Sequence, residues 1–333
     1  MRMGLLLSEA AVVFLISASL CMLVGRVAVR LLSRTQCMQP DRYEDCAPLL
    51  AYQQTKPRVP TMGGVFVLGV GILVAITAGA LEHSSGWGIL GSILGLAAVG
   101  FWDDWLKCRS RKGTGLGAFP KLLIALGIGG FLAVAMGSGR VVQGGFSKLE
   151  IPVINQSIEL GWLSIPFAMC VMAGCAHAVN LTDGMDGLAA GCMAIAFSAF
   201  GLLLLRDPSQ GPAMVFWCVS LAGACVGFLW FNGFPGSVFL GDVGALGLGA
   251  ALAALSLLSH KALWLLVIGG VFVLEALSVM LQVASYKWRG KRRIFRVAPL
   301  HHHFHLGGLS EPKVVMRFWI MGLLLAAAGL VVG

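Results

Sequence analysis

Apolar runs of about 20 residues, the length that crosses a bilayer as a helix, recur along nearly the whole chain. They lie near 5–32, 62–81, 86–102, 117–137, 161–178, 187–205, 212–231, 243–258, 262–286 and 312–332. In a chain that is 58% hydrophobic and 12% charged, no polar stretch is long enough to close a core outside the membrane. The fold class expected is an all-α polytopic integral membrane protein, a single transmembrane domain over 1–333 with about ten helices. The first run is too long for a signal peptide, whose apolar region spans about 7–15 residues, and it carries Arg26, Arg30 and Arg34 at its end. Between 138 and 160, SKLEIPVINQSIEL alternates polar and apolar residues and predicts a small extracytoplasmic hairpin.

Charge orients these spans. Of 24 Lys and Arg, fourteen fall in the loops after the odd-numbered spans and five on the opposite side. Basic loops stay in the cytoplasm, which places both termini outside it. The net charge of +9 is then mostly a cytoplasmic-face property, suited to setting topology and touching anionic lipid. The nine cysteines show no CxxC spacing and mostly sit inside apolar runs, so they read as reduced, buried and inert. Eight acidic residues are assigned to the cytoplasmic side: Asp41, Glu44 and Asp45 in the first loop, then Asp103, Asp104, Asp183, Asp186 and Asp242 at span ends. Carboxylates at a membrane border are costly unless they face water, a partner or an ion, so five at one depth indicate a polar site.

Each motif admits two readings. In FWDDWLK, Asp103 and Asp104 repel unless a cation or proton compensates, which suits a base; a helix end with an ordinary Asp–Lys107 pair is the alternative, and Lys121 enters the next span. In NLTDGMDGLAAG, a helical turn would set Asp183 and Asp186 on one face, while Asn180 or Thr182 would cap the helix that follows. Such a helix start, with Gly184 and Gly187 beside it, also suits phosphate approach. In FNGFPGSVFLGDVGALGLG, a lone Asp242 is more often a cap than a ligand, but four neighbouring carboxylates make a hard cation such as Mg²⁺ credible. The segment KWRGKRRIFRVAPLHHHFH joins six basic residues to His301, His302, His303 and His305, a set open to metal capture or to binding an anionic substrate. In TKPRVPTMGG, Lys56 and Thr61 either grip a phosphate or form a basic anchor and turn.

Carboxylates, lysines and histidines on one membrane face suit a magnesium-dependent reaction between a soluble phosphate donor and a lipid acceptor. The motifs PTMGG, FWDDWLK with Lys121, NLTDGMDGLA, FLGDVGALGLG and APLHHHF followed by EPKVVMRFWI resemble the polyprenyl-phosphate N-acetylhexosamine-1-phosphate transferases nearly end to end. The triple histidine favours the muramoyl-pentapeptide branch. What the resemblance implies is a ten-span homodimer in the bacterial inner membrane. It would move phospho-MurNAc-pentapeptide from UDP-MurNAc-pentapeptide onto undecaprenyl phosphate, giving lipid I and UMP for peptidoglycan synthesis. Membrane lipids surround it and no nucleic acid is implied. By the same resemblance Asp242 holds Mg²⁺, Asp103 or Asp104 deprotonates the lipid phosphate, and Lys107 and Lys121 meet phosphates. Lys56, Thr61, Asn180, Asp183, Asp186, Asn232, Phe239, Gln282, His301, His302 and His303 bind substrate, Phe239 by stacking on uracil. A covalent phospho-aspartate route stands beside the one-step route.

The chain departs from that pattern in three places. Lys56-Pro-Arg-Val-Pro-Thr61 lacks a glycine and a threonine, the aspartate turn reads GDVGA with Val243 and Ala245, and His305 replaces a glutamate. Two rivals stay open: a UDP-GlcNAc phosphotransferase of similar mechanism, and a transporter or flippase. The latter would hold ionisable groups near the bilayer midplane, where Glu275 is the one acidic residue deep in a span.

Overall fold

The computed structural model describes residues 2–35, 37–38, 46–110, 114–137, 147–154, 156–207 and 211–332. Asp41, Glu44 and Asp45 therefore lie outside the described residues. Among those described, nine helices are long and apolar enough to cross a membrane: α1 (Arg2–Arg34), α4 (Ser84–Arg109), α5 (Ala118–Gly137), α6 (Ser164–Thr182), α7 (Leu188–Leu205), α8 (Gly211–Asn232), α9 (Gly241–Leu258), α11 (Gly270–Trp288) and α13 (Glu311–Val332). The expected second span is α3 (Gly64–Thr77), only 14 residues and so about 21 Å long. It starts at Gly64, where the chain pairs with another segment described below, and ends at Thr77, beyond which Gly79 at φ 89° turns the chain. The ninth span is interrupted: α10 (Leu265–Ile268) and α11 are separated at Gly269. Two short helices that no hydropathy window reveals, α2 (Ala47–Thr55) and α12 (Leu300–His305), lie in the connections.

α9 forms the centre, with every residue buried, and packs against α3, α4 and α6. Its sequence explains this position. Bilayer lipid offers no hydrophobic drive between helices, so close packing depends on small residues, and GDVGALGLGAALAA supplies them on every side. Gly244 meets Gly64 of α3, Gly249 lies against Ala176 of α6, and Gly100 of α4 lies over the Asp242 and Val243 backbone. The last contact brings the C-terminal end of α4 against the start of α9. On the lipid-facing rim, Leu15, Leu23, Phe131 and Val331 are exposed, as a bilayer solvent permits.

The expected hairpin is present: β1 (Lys148–Ile151) pairs antiparallel with β2 (Gln156–Glu159), Lys148 opposite Glu159, while 138–146 lie outside the described residues. Lys261 ties it to the bundle through Glu150 at 2.6 Å and Asp207 at 3.2 Å. The cysteines require a correction. Cys37 and Cys108 form a disulfide across a sequence separation of 71, and Cys170 is exposed. Cys21, Cys192, Cys218 and Cys225 are free and buried, as expected. The bond escapes spacing rules because its partners are 71 residues apart, and it fastens the segment before α2 to the end of α4.

Candidate active site

The packing of Gly100 assembles an acidic cluster. Asp103 and Asp104 end α4, Asp242 stands in the first turn of α9, all three are buried, and one oxygen from each lies within 4.8 Å of the others. Such a trio is stable only with cations or a proton between its members. Lys107 Nζ lies 2.5 Å from Asp103 Oδ2, 3.1 Å from Asp242 Oδ1 and 3.8 Å from Asp104 Oδ1. Lys121, near the start of α5, reaches Asp242 Oδ2 at 2.8 Å and Asp103 Oδ2 at 3.3 Å. Three carboxylates against two ammonium groups leave one negative charge over. Backbone donors fix the geometry: Leu116 N–H donates to Asp103 Oδ1 at 2.6 Å, and Val243 N–H to Asp104 Oδ2 at 3.1 Å. The cap of α9 is thus Asp104 from another helix, while Asp242, for which the sequence left a cap or a cation ligand open, turns to the lysines.

A strap joins this cluster to a cleft. Phe239 N–H donates to Pro60 O at 2.9 Å, and Gly63 and Gly64 N–H donate to Phe239 and Leu240 O, each at 2.8 Å. The PTMGG and VFLGD segments therefore run side by side. At their end Gly241 has φ 76°, and a β-carbon there would lie 2.6 Å from Asp104 Oδ2 and 2.8 Å from Thr61 Oγ1. The Thr61 hydroxyl is buried without a hydrogen-bond partner. At the other end opens a cleft of about 180 Å³, lined among others by Tyr52, Lys56, Gly184, Phe239, His302 and Glu311.

The NLTDGMDGLAAG segment differs from expectation. α6 ends at Thr182, whose hydroxyl donates back to Ala178 O at 2.8 Å, and α7 begins after Gly187 at φ 78°. Asp183 and Asp186 thus lie in a turn between helices rather than on one helical face, and neither Asn180, half-buried near the end of α6, nor Thr182 caps α7. Gly187 N–H is instead taken by Asn232 Oδ1 at 3.0 Å, and Asn232 Nδ2 donates to Val238 O at 2.8 Å, which clamps turn and strap together. Asp186 Oδ2 accepts from Lys56 Nζ and Gly236 N–H, both at 3.1 Å. Burial, aided by the Glu311 carboxylate, raises its proton affinity above the usual aspartate range although Lys56 and the Gly236 N–H oppose this.

The four histidines separate in space. His302 faces the cleft, whereas His301 is fully buried, with its N–H and Nδ1 on Glu275 Oε1 at 3.2 and 3.1 Å. His303 Nδ1 accepts from Arg296 N–H at 3.1 Å, and His305 packs at a tilt against Tyr52 with ring centres 4.4 Å apart. No histidine-based metal group forms; among the described residues the aspartate trio is the one set of three or more close ligand candidates. Gln282 braces the basic loop, accepting from Ile294 and Phe295 N–H at 3.0 Å each.

Glu311 was not singled out from sequence, yet it organises the cleft. Fully buried at the start of α13, it takes Lys56 Nζ at 2.7 and 2.6 Å on its two oxygens, Tyr52 Oη at 2.9 Å and Asp186 N–H at 2.8 Å. Burial and this carboxylate together push the Tyr52 hydroxyl well above its ordinary range, so it remains a donor. Glu311→Gln is expected to loosen Lys56 and Tyr52 and to lower the melting temperature by several degrees, because hydrogen bonds to a charged group contribute about 1.5–3 kcal/mol each. Thermal unfolding in detergent would show this, and an unchanged melting temperature would remove Glu311 from the groups that hold the cleft together.

The sequence profile of glycosyl transferase family 4 matches residues 86–260. The chain is 39% identical over 324 residues to the phospho-N-acetylmuramoyl-pentapeptide-transferase of Methylacidiphilum infernorum, covering 92% of this chain and 88% of that protein. Its namesakes from Citrifermentans bemidjiense (40%; 92% and 87% covered) and Thermodesulfovibrio yellowstonii (41%; 83% and 80% covered) are similarly close. The chain belongs to the phospho-N-acetylmuramoyl-pentapeptide-transferase family. A phospho-N-acetylmuramoyl-pentapeptide-transferase fold accounts for the membrane bundle, and the protein is a multi-pass membrane transferase. Within that family setting the chain's own departures find places: Val243 donates its N–H to Asp104, Ala245 is fully buried in α9, and His305 packs on Tyr52.

Proposed function

We propose that the chain transfers phospho-MurNAc-pentapeptide from UDP-MurNAc-pentapeptide to undecaprenyl phosphate, giving lipid I and UMP in peptidoglycan synthesis. The observation that carries this reading is continuity: one stretch, Phe239 to Asp242, borders the cleft at its first residue and enters the acidic cluster at its last. A uridine in the cleft would then direct its diphosphate toward Lys107 and Lys121. Phosphoryl transfer demands chiefly positioning and charge neutralisation, which these residues supply.

The donor set fits a resident Mg²⁺: three hard carboxylates with one uncompensated charge, and the unpaired Thr61 hydroxyl beside them. In this proposal Asp242 is its ligand, and the bound ion would offset charge developing on the diphosphate. The protein's own groups do the rest. Phe239 stacks on the base, Lys56 and His302 hold the donor, Lys107 and Lys121 pair with phosphate oxygens, and Asp103 or Asp104 accepts the proton of the lipid phosphate. The reading extends to a single catalytic domain, a homodimer with both termini extracytoplasmic, and an active site open to the cytoplasm.

The test is UMP release by purified protein in detergent with undecaprenyl phosphate and either UDP-MurNAc-pentapeptide or UDP-GlcNAc, each with and without magnesium. Release only with the muramoyl donor, lipid and magnesium together is expected; release with UDP-GlcNAc instead would move the enzyme to another pathway, and none with either would overturn the reading. His302→Ala should weaken donor binding about 10-fold by calorimetry. Unaltered affinity would remove His302 from the binding surface.

A further inference from the structure

Glu275 lies within an apolar span, fully buried, and takes no part in the chemistry derived so far. A carboxyl at that depth is costly and is retained where it has a task. Its Oε1 accepts both the His301 N–H, one of the unpaired donors of the first turn of α12, and His301 Nδ1. A carboxylate can only accept, so the proton on Nδ1 is fixed and His301 Nε2 is left as the second, differently directed atom of the ring. Nε2 lies directly over Gly184, where any β-carbon would strike it, and Gly184 is part of the cleft wall. Buried Nε2 and Glu275 Oε2 have no hydrogen-bond partner. The His301 ring also packs, tilted by 57° with ring centres 4.1 Å apart, against His302, which faces the cleft.

We propose that Glu275 is a positioning residue for donor binding: it fastens α12 to α11 and fixes His301 in the Nδ1–H form, so that the His301–His302 pair and Gly184 form one wall of the cleft. A carboxylate behind a histidine commonly sets ring orientation and proton position in this way. The inference rests on the transferase reading for its kinetic consequence, but not for the tautomer.

The experiment uses the full-length protein in detergent, with Glu275→Ala, Glu275→Gln, His301→Ala and the Glu275→Ala/His301→Ala pair. Glu275→Ala should raise the donor KM about 10-fold, as losses behind a binding group do, while kcat stays within about 3-fold. Glu275→Gln keeps an oxygen acceptor for both donors and should restore most of the KM. The double variant should match His301→Ala alone, because Glu275 acts through that ring. Additive losses, or a lower melting temperature with unchanged KM, would overturn the proposal. ¹⁵N-histidine NMR reads the tautomer without turnover: a His301 signal with the proton on Nδ1 in wild type and Glu275→Gln, lost in Glu275→Ala, is expected, and an Nε2–H form in wild type would overturn it. Absence of UMP release from the wild type would sink the transferase reading while the NMR result still decides the role of Glu275.

Discussion

Asp242→Ala should abolish turnover at every magnesium concentration while leaving a folded protein. The cluster explains both halves of this result. Removing this carboxylate leaves Asp103 and Asp104 to balance Lys107 and Lys121, although Lys121 then keeps only Asp103, at 3.3 Å. The melting temperature should therefore fall by several degrees while the bundle stays folded. Activity has no such compensation. Asp242 is the residue that both lysines share from the α9 side and the proposed magnesium ligand, and losing several kcal/mol of charge stabilisation corresponds to a fall in kcat of roughly 10³-fold or more. UMP release measured across a magnesium titration decides the matter. Activity recovering at high magnesium would mean that Asp242 only tunes metal affinity, and wild-type rates would remove it from the metal site.

Much of this fold is legible in the sequence because spans report themselves through composition alone, whatever they pack against. The failures come from partners distant along the chain, from single positive-φ glycines and from helices too short to register. α3 starts at Gly64, where Gly63 and Gly64 bond to Phe239 and Leu240, a pairing that no local window contains, and stops at Thr77 before the turn at Gly79. Asp183 and Asp186 looked like neighbours on a helix; Gly187, at a positive φ, breaks the helix and makes them turn residues held by Asn232 and Lys56. α2 and α12 are too brief for a hydropathy signal, yet they bring Tyr52 and His302 to the cleft.

Residue chemistry was legible where like charges gathered. Asp103, Asp104 and Asp242 stood out because carboxylates at a membrane border demand a reason, and the structure supplies Lys107 and Lys121 as that reason. Glu311 did not stand out, since an acidic residue in the first turn of a helix has an ordinary explanation in the helix dipole. Its partner Lys56 is 255 residues away. The available signal was the proline after it: Glu311-Pro312 places a charge at the very start of a span, the same location that marked Asp242. Cys37 and Cys108 were hidden for the same reason of distance, being 71 residues apart without a CxxC spacing.

Asp103→Asn and Asp104→Asn should both lower kcat, and the way each does so separates the two carboxylates. An Asn at 104 can still accept the Val243 N–H through its amide oxygen, so the cap of α9 survives and only the capacity to take a proton is lost. For this variant kcat should fall by about 10²- to 10⁴-fold with donor KM unchanged, the signature of a missing general base. At 103 the amide oxygen can keep the Leu116 N–H, but the amide nitrogen would then face two ammonium groups that Asp103 Oδ2 now holds. Lys107 and Lys121 would be displaced, so the fall in kcat should come with a higher donor KM. Initial-rate measurements over donor and lipid concentrations distinguish these patterns. If Asp103→Asn instead loses kcat alone while Asp104→Asn is nearly normal, the base is Asp103 and Asp104 serves only to cap α9. Unchanged kcat in both would take the pair out of the chemistry and leave proton removal to another group.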